Sequence, residues 1–356
     1  MKIQIYKTPL ENILNNFQAF LDKRDQSNIT SHIFFRVQDN QLLLKATDFE
    51  MGIQSLINVT SVQEDGEGTV NGKDILGIIK QLKEDKEITF ETKNDDLIIK
   101  QGRASFKLPM FNSEEFPKFP SYTDENKINI PTENFIEAIK KISPAVANNN
   151  TKMELNGANL DVKEYVINFV STDTKRLALV KMETQSISTL SIIIPKRALI
   201  EIPKLFSNNF EIYYNQSQLI LVTENYSFFT KLTNGRFPDY ERIIPKVFKH
   251  SFILQKNKMI ASLRMIQSVS QEVKITFEQN EIIFESFGNS NSQAEDRFEA
   301  DITVSEPIQI AASLKSILDF LGQSDSETFE LCIAEKTTPF LLKDNNFLTI
   351  VMPINL

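Results

Sequence analysis

The chain has 356 residues, of which 41% are apolar and 24% are charged, and its formal net charge is −8 at pH 7. This composition is typical of a globular protein, and the length predicts two or three domains with ample core. No apolar run approaches the roughly 18 residues of a membrane span and no basic-then-apolar segment opens the chain, so we expect neither a membrane span nor a secretory signal.

Six strand–helix–strand units follow one another along the chain, in three tandem pairs. The first pair opens with KIQIY and GTVNGKDILGIIKQL, the second with INIPTENFIEAIKKI and SIIIPKRALIEIPKLF, and the third with SFILQKNKMIASLRMI and IQIAASLKSILDFL. In each unit the apolar residues recur at helical spacing and then alternate in strand-like runs. The spacing predicts helices over residues 9–24, 73–84, 132–142, 196–205, 256–271 and 313–321.

The pairs repeat at about one ordinary domain length, so we predict three tandem domains at residues 1–124, 125–249 and 250–356. Each domain would be α+β, with two units that bury their helix stripes against antiparallel strands, the sheets outside and the two helices inside. Strand edges at the domain junctions can pair and continue a sheet from one domain into the next. Such domains in a row would form an arc, which a second copy can close into a ring.

Charge is unevenly distributed between the predicted helices and the rest of the chain. The six helices hold 14 basic and 8 acidic residues, a balance of +6, whereas the remaining chain carries −14. Lys80, Lys140, Lys204 and Arg264 lie away from the apolar stripe of their helices. One interpretation is a helical surface that faces an anionic partner. The alternative is that solvated helix faces are generally rich in lysine.

The chain offers little material for catalysis or metal binding. Its single cysteine, Cys332, excludes an internal disulfide and favours a reducing, cytoplasmic location, and its place in the run FELCIA predicts a buried strand residue. The two histidines, His32 and His250, have no second ligand at metal-binding spacing, and no phosphate-binding or nucleophile motif occurs. An enzyme is not excluded by this, but we expect no catalytic, metal or cofactor site.

Two aspartates could be mistaken for a catalytic pair. Asp48 in ATDFEM and Asp173 in STDTKR each follow a strand-like run and a threonine. Short acids in this position commonly bond the backbone of a turn, which is the interpretation we favour. The third repeat has ESFGNSNS at the equivalent place and lacks the acid.

Four segments carry a resemblance to a known family: LLLKATDFEM (42–51), FVSTDTKRLALVKM (169–182), TKLTNGRFPDYERIIPK (230–246) and TIVMPINL (349–356). In order and spacing, over essentially the full length, the chain resembles the bacterial DNA polymerase III beta subunit, the processivity sliding clamp. The resemblance implies a homodimeric ring that encircles duplex DNA and tethers the replicative polymerase without being an enzyme. A ring holds DNA by topology, so thinly spread cations in its bore would attract phosphates without reading bases.

The resemblance and the charge pattern together nominate residues that face DNA. On the helices these are Lys80, Lys140, Lys141, Arg197, Lys204 and Arg264. In the family, two further regions contact a tilted duplex, and they match Arg24 in the Lys23–Arg24 turn and Asn149 and Lys152 in the loop ANNNTKM.

Clamps of this family recruit polymerases, clamp loaders and repair factors through one hydrophobic pocket between the second and third domains. The partner inserts a short extended peptide with a glutamine and C-terminal apolar anchors. The matching positions here are Leu155, Thr172, Thr174, Lys175, Arg176, Leu177, Pro238, Arg242, Ile243, Ile350, Val351, Met352, Pro353 and Ile354. The resemblance implies that the apolar members supply the anchor surface. It also implies that Arg176 and Arg242 frame the rim and bond peptide carbonyls or acids.

Four positions depart from the family pattern. Thr174 and Lys175 stand where glycine and histidine are frequent, Ser316 where tyrosine is common, and Asn355 where arginine is common. We therefore expect a second subsite of the pocket to be shaped differently from that of other clamps.

For the dimer seam, the family pairs a strand edge of the first domain with the third domain. The matching strand, GRASFKL, contributes Arg103, Phe106 and Leu108, and the partner surface at a helix end contributes Ser268, Val269 and Gln271.

Two other functions remain open from the sequence. A repeat-built scaffold could bind peptides or another acidic partner without DNA, and a hydrolase could use Asp48 and Asp173.

Overall fold

The computed structural model describes residues 1–25, 27–185, 189–206, 209–288 and 292–355. These residues form two compact units, of which unit 1 comprises residues 1–132 and 201–232 and unit 2 comprises residues 133–200 and 233–356. No helix among the described residues combines the length and the apolar character that crossing a lipid bilayer requires.

Unit 1 holds helices α1 (Lys7–Phe17) and α2 (Gly72–Gln81), which pack together, and two antiparallel sheets. One sheet has five strands: β1 (Lys2–Ile5), β5 (Ser61–Glu64), β7 (Ile88–Lys93), β8 (Asp96–Gln101) and β9 (Ala104–Pro109), in the order β5-β1-β7-β8-β9. The other has eight strands: β2 (His32–Gln38), β3 (Gln41–Thr47), β4 (Met51–Asn58), β6 (Gly66–Asn71), β10 (Asn126–Ile128), β15 (Glu211–Tyr214), β16 (Gln218–Val222) and β17 (Tyr226–Lys231). Their order is β10-β15-β16-β17-β4-β3-β2-β6.

Unit 2 holds three helices: α3 (Thr132–Ile142) except its first residue, α5 (Lys256–Gln267) and α6 (Leu314–Gln323). Helices α5 and α6 pack against each other. Its eight-stranded sheet contains β11 (Gly157–Val162), β12 (Val166–Thr172), β13 (Arg176–Glu183), β14 (Leu190–Pro195), β18 (His250–Gln255), β23 (Thr328–Ile333), β24 (Phe340–Asp344) and β25 (Phe347–Val351), in the order β14-β11-β12-β13-β25-β24-β23-β18. A four-stranded sheet has the order β21-β20-β19-β22, from β19 (Glu272–Glu278), β20 (Glu281–Phe287), β21 (Glu295–Glu299) and β22 (Ile308–Ser313). Helix α4 (Lys196–Leu205) is divided between the units.

The predicted helices form because each has a continuous apolar stripe to bury. Leu10, Leu14 and Phe17 of α1 are fully buried, and so are the corresponding residues of α5, Met259, Leu263 and Ile266. The predicted bounds of α3 and α4 are confirmed. The prediction of one helix over 9–24 is wrong, because α1 ends at Phe17 and a 3₁₀ turn takes over at Gln18–Phe20.

The predicted continuation of sheets across the domain junctions is confirmed in both units. In unit 1, β17 pairs with β4 over Tyr226↔Ser55 to Thr230↔Met51. In unit 2, β13 pairs with β25 over Arg176↔Val351 to Val180↔Phe347. Residues 125–249 therefore contribute strands to both units, and the predicted domain boundaries stay predictions.

Cys332 lies in β23 and is buried, as predicted, and burial raises the pKa of its thiol to about 11. It behaves as a small core residue rather than a nucleophile.

A lysine at the first position of a helix caps its partner helix in two of the repeats. Lys7 of α1 is buried, and its Nζ donates to the carbonyl oxygens of Lys80 and Leu82, at the end of α2, over 3.1 and 2.9 Å. Lys256 of α5 likewise donates to the carbonyl of Ser324, just beyond α6, over 2.9 Å. The last carbonyls of a helix have no intrahelical partner and carry partial negative charge, so an ammonium group stabilises them.

We predict that Lys7→Met destabilises the protein by about 1–3 kcal/mol, because two helix-end carbonyls lose a buried charged donor while the packing of the side-chain stem is kept. Chemical unfolding of the two proteins measures this. The matched control is Lys73→Met, at an exposed position in α2, which should change the unfolding free energy by less than about 0.5 kcal/mol. Equal effects of the two substitutions would contradict a capping role.

His32 is a buried histidine from which we expect a dependence of stability on pH. Its ring is buried and stacked on Phe111 with centroids 4.0 Å apart, and Nδ1 lies 3.3 Å from Thr69 Oγ1. Burial lowers the pKa of His32 from 6.5 to about 4, although the Asp74 carboxylate raises it in part. The folded state therefore holds the neutral ring, while the unfolded chain takes up a proton below pH 6.5.

Stability should consequently fall as the pH drops from about 6.5 to about 4, by up to about 3 kcal/mol from this group. His32→Phe keeps an aromatic ring on Phe111 and removes the titration. Denaturant unfolding across this pH range should show a smaller slope for the variant than for the parent protein. Parallel pH profiles would show that His32 does not contribute.

Candidate functional site

The fourteen residues predicted for the peptide pocket all lie in unit 2 and within its described part. They come from four places: the 3₁₀ turn Met153–Leu155, the end of β12 with the turn and start of β13 that follow it, the segment after Phe237, and the end of β25 with the residues that follow it. The first link between them is a strand pair, in which Leu177 of β13 lies opposite Ile350 of β25 and Arg176 lies opposite Val351. The Met352 amide extends the pairing by donating to the Lys175 carbonyl over 2.9 Å.

A second link is the segment after β17, which packs on the same strands. Leu177 and Ile350 belong to one buried cluster with Phe237 and Tyr240. The Tyr240 hydroxyl donates to Asp161 Oδ2 over 2.6 Å and accepts from Asn168 Nδ2 over 2.9 Å. Burial and the adjacent Asp161 carboxylate raise the pKa of Tyr240. Phe237 and Tyr240 were missed by the sequence analysis, although the aromatic residues in RFPDY were an available signal.

The predicted pocket residues divide into core and surface. Leu155, Leu177, Ile350 and Val351 are at most 2% exposed, so they form the floor on which the surface residues rest, and their assignment to the peptide pocket stays a prediction. Met352 is 44% exposed and Ile243 is 41% exposed, and the half-buried residues Pro238, Pro353 and Ile354 complete the apolar surface group.

Arg176 is not the rim residue that the resemblance implied. It is buried, its Nε donates to Asp173 Oδ2 over 3.1 Å, and its Nη1 donates to Asp319 Oδ2 over 2.7 Å. Its Nη2 donates to the carbonyl of Pro144. The guanidinium therefore ties the start of β13 to α6, because Asp319 lies on that helix. Arg242 is exposed as expected and pairs with Asp239 at 2.7 Å.

The turn before β13 repeats the turn before β4, which confirms the structural interpretation of the two aspartates. Asp173 Oδ1 accepts from the amides of Lys175 and Arg176, each over 3.0 Å. Asp48 Oδ1 accepts in the same way from the amides two and three residues ahead of it, over 3.1 and 2.9 Å. The turn places Thr174 at φ 78°, which explains why glycine suits this position. Buried Thr172 bonds the Arg176 carbonyl, whereas Thr174 and Lys175 are exposed.

A cavity of about 510 Å³ opens beside this turn. Of the predicted pocket residues it contains Lys175 and Arg176, and Ser316, named above as a departure from the family, also lines it. Missed residues make up the rest of its described lining: Ser143, Pro144, Val146, Ala147, Asn148, Asp173, Lys196, Ile200, Ser313 and Lys315. Ser316, at which we expected a differently shaped second subsite, therefore lines the same polar recess as Lys175 and Arg176. No local sequence pattern indicated this recess.

The residues predicted to face DNA are mostly exposed. Lys80, Lys140, Arg197, Lys204 and Arg264 are exposed on their helices, and Arg24, Asn149 and Lys152 are exposed in loops. Lys204 pairs with Glu201 at 2.9 Å and Arg24 lies 3.7 Å from Asp22. These assignments stay predictions.

Lys141 is a correction to that set. Only 5% of it is exposed, and its Nζ bonds Glu137 on the same helix and Asp325 Oδ2, the latter at 2.5 Å. Those two carboxylates raise the pKa of Lys141 despite its burial, so its positive charge is neutralised by ion pairs within unit 2.

The predicted dimer residues lie at two places. Phe106 and Leu108 are half-buried on β9, which is the edge strand of its sheet among the described residues, and Arg103 is exposed just before it. Ser268, Val269 and Gln271 line an open recess of about 720 Å³ beyond the end of α5. In the described part of the chain, no three His, Cys, Asp or Glu side chains are placed to hold one metal ion.

Comparison with known proteins decides the family. Family models of the DNA polymerase III beta subunit match in succession: the N-terminal domain over residues 1–120, the central domain over 129–239 and the C-terminal domain over 241–355. The chain belongs to this family. The predicted fold class, three tandem clamp domains of α+β type, is confirmed, and the function is that of a DNA sliding clamp.

Named relatives agree with this assignment. The beta sliding clamp of Helicobacter pylori strain J99 is 38% identical over 353 residues, covering 97% of this chain and 94% of that protein. The solved structure of the Helicobacter pylori beta clamp bound to a DNA ligase peptide has a TM-score of 0.94, 38% identity and full coverage of both chains. A clamp from Pseudomonas aeruginosa bound to griselimycin, at 22% identity and a TM-score of 0.94, shares the fold. These comparisons do not favour the alternative of a scaffold that does not act on DNA.

We predict that Arg176→Met destabilises the clamp by about 3–5 kcal/mol, because Asp319 and Asp173 lose a buried charged partner. Thermal or denaturant unfolding measures the loss. Arg242→Met is the matched control, since it breaks an exposed arginine–aspartate pair and should cost less than about 1 kcal/mol. In Arg176→Met/Asp319→Asn part of the lost stability should return. An Arg176 variant as stable as the control would refute the structural role.

Proposed function

We propose that two copies of this chain close into a ring around duplex DNA and tether the replicative polymerase, the clamp loader and repair factors through the pocket of unit 2. The observation that carries the proposal is the full-length likeness to a Helicobacter pylori clamp that binds a DNA ligase peptide. In the order of the chain, we propose that the domains are residues 1–124, 125–249 and 250–356. Because it acts on DNA within the cell, we propose a cytoplasmic location.

The distribution of charge supports retention on DNA without sequence recognition. The exposed helix cations Lys80, Lys140, Arg197, Lys204 and Arg264 present positive charge on a chain whose net charge is −8. Flexible cations on helices neutralise phosphates through a smooth, water-mediated potential that permits sliding, whereas base contacts would fix the register. The acidic remainder of the chain disfavours DNA elsewhere on the surface.

The edge strand β9 supports the proposed dimer seam. An uncovered edge offers unpaired amide and carbonyl groups, and Phe106 and Leu108 add half-buried apolar area to it. We propose that this edge meets the region of Ser268, Val269 and Gln271 of the second copy.

We also propose that the protein is not an enzyme. Its two motif-like carboxylates, Asp48 and Asp173, accept backbone hydrogen bonds in turns, which gives each a structural task. Its pocket presents Met352, a soft residue that fits varied peptide partners, together with Ile243.

The ring predicts a specific behaviour on DNA. The protein, loaded by its clamp loader onto a nicked circular plasmid, should co-elute with the circle in gel filtration at moderate salt and be lost when the plasmid is cut. In the variant Lys80→Gln/Lys140→Gln/Arg264→Gln the retained fraction should fall several-fold, because about three phosphate-neutralising charges are removed.

The matched control places the same substitutions on strands. Lys93→Gln/Lys181→Gln/Lys343→Gln removes three exposed lysines of β7, β13 and β24 and should leave retention unchanged. Retention that survives cutting of the plasmid would contradict the ring, and equal retention by both variants would contradict the assignment of the bore.

A further inference from the structure

Cations outnumber carboxylates in the described lining of the cavity beside the β13 turn. Among its described lining residues are Lys175, Arg176, Lys196 and Lys315, against the single carboxylate of Asp173. A neighbouring carboxylate, Asp319, accepts from Arg176 Nη1 at 2.7 Å and from Lys315 Nζ at 2.6 Å. Two carboxylates thus serve four cations, and the cavity keeps an excess of about two positive charges.

The excess of positive charge acts on the ammonium group of Lys196, one of the lining residues. Its half-buried Nζ donates to two neutral oxygens, the Val146 carbonyl at 2.8 Å and Asn148 Oδ1 at 2.7 Å. Burial lowers the pKa of Lys196, and the positive charges of Arg176 and Lys315 lower it further. The Asp173 carboxylate raises this pKa, but its effect is the smallest of the four. An anion in the cavity would remove this repulsion and accept the hydrogen bonds of an ammonium group that is already held in place.

The shape of the site favours a side chain over a nucleic-acid phosphate. The cations lie on the walls of a recess of about 510 Å³, whose lining includes the small, buried Ser316. Phosphates of a duplex lie on a convex backbone and meet cations that project from a surface. A side chain of an extended peptide can enter a recess beside the groove in which its backbone lies.

The cavity is also continuous with the proposed peptide pocket. Lys175 and Arg176 belong to both, and the Lys175 carbonyl accepts the amide of Met352, the exposed apolar residue of that pocket. A peptide whose apolar anchors contact Met352 would therefore have its neighbouring residues beside Lys175.

We propose that this cavity is a carboxylate subsite, so that partner peptides carry an aspartate or glutamate outside their apolar anchors and place it between Lys175, Lys196 and Lys315. The proposal rests on the proposed function, since it requires that a peptide binds to this pocket. The proposal adds to that function the type of peptide side chain, a carboxylate, that would occupy the recess lined by Lys175 and Ser316.

Fluorescence anisotropy with synthetic peptides tests the subsite. The probes are labelled ten-residue peptides with one glutamine and a C-terminal Leu-Phe pair, in which a single glutamate, or glutamine as its neutral match, is moved through the other positions. At one position the glutamate peptide should bind about five- to tenfold more tightly than its match at low salt, and the advantage should shrink as salt is added.

Substitutions in the protein locate the effect. Lys196→Gln/Lys315→Gln, at two cavity lysines outside the predicted peptide pocket, should abolish most of the glutamate advantage while leaving the affinity for the neutral peptide nearly unchanged. The matched control Lys336→Gln, an exposed lysine of unit 2 outside the cavity, should preserve the full advantage.

The remaining outcomes separate the two proposals. Equal binding of acidic and neutral peptides, or an advantage that survives in Lys196→Gln/Lys315→Gln, overturns the carboxylate subsite and leaves the peptide pocket standing. Failure of every peptide to bind overturns both. Reduced retention of Lys196→Gln/Lys315→Gln on circular DNA, with no change in peptide preference, would assign the cavity to phosphate and overturn the inference.

Discussion

Antiparallel pairing between strands from distant parts of the chain is the constraint on which the candidate site depends. The pairing of β13 with β25 sets Leu177 opposite Ile350 and carries the Lys175 carbonyl to the amide of Met352. Neither segment could form the pocket alone, because each supplies only one wall. The same device in unit 1 joins β4 to β17. Edges that would otherwise be open for aggregation are thereby used to connect successive repeats.

Two populations of cations follow from this architecture. Buried Arg176 bonds Asp319 and so holds the start of β13 against α6. Buried Lys141 bonds Asp325 and so holds α3 against the segment just after α6. Other cations, such as Lys140, project from the helices into solvent. Burial without a partner is costly for a charge, so the buried, paired cations serve stability, whereas the exposed cations present positive charge to the solvent. The cavity of unit 2 lies between these cases, with Lys196 half-buried and bonded to neutral oxygens.

Much of the fold was predictable because its causes are local. Apolar residues at helical spacing fixed the existence of the six helices, and Cys332 was correctly placed in a buried strand. The turn chemistry of Asp48 and Asp173 was also predictable, since each carboxylate bonds amides only two and three residues away. The end of the first helix was not, because its apolar spacing continues to Leu21, a residue that is buried although it lies beyond the helix.

The sequence by itself determined the repeats, the helices and the turns, together with the family that their order and spacing resemble. Tertiary structure decided which site residues face solvent. Arg176 and Lys141 read as surface cations along the chain, and only the approach of Asp319 and Asp325, far away in sequence, shows them to be buried. The physical reason is that periodicity reports which face of an element is apolar, whereas the partner of a charge depends on long-range packing.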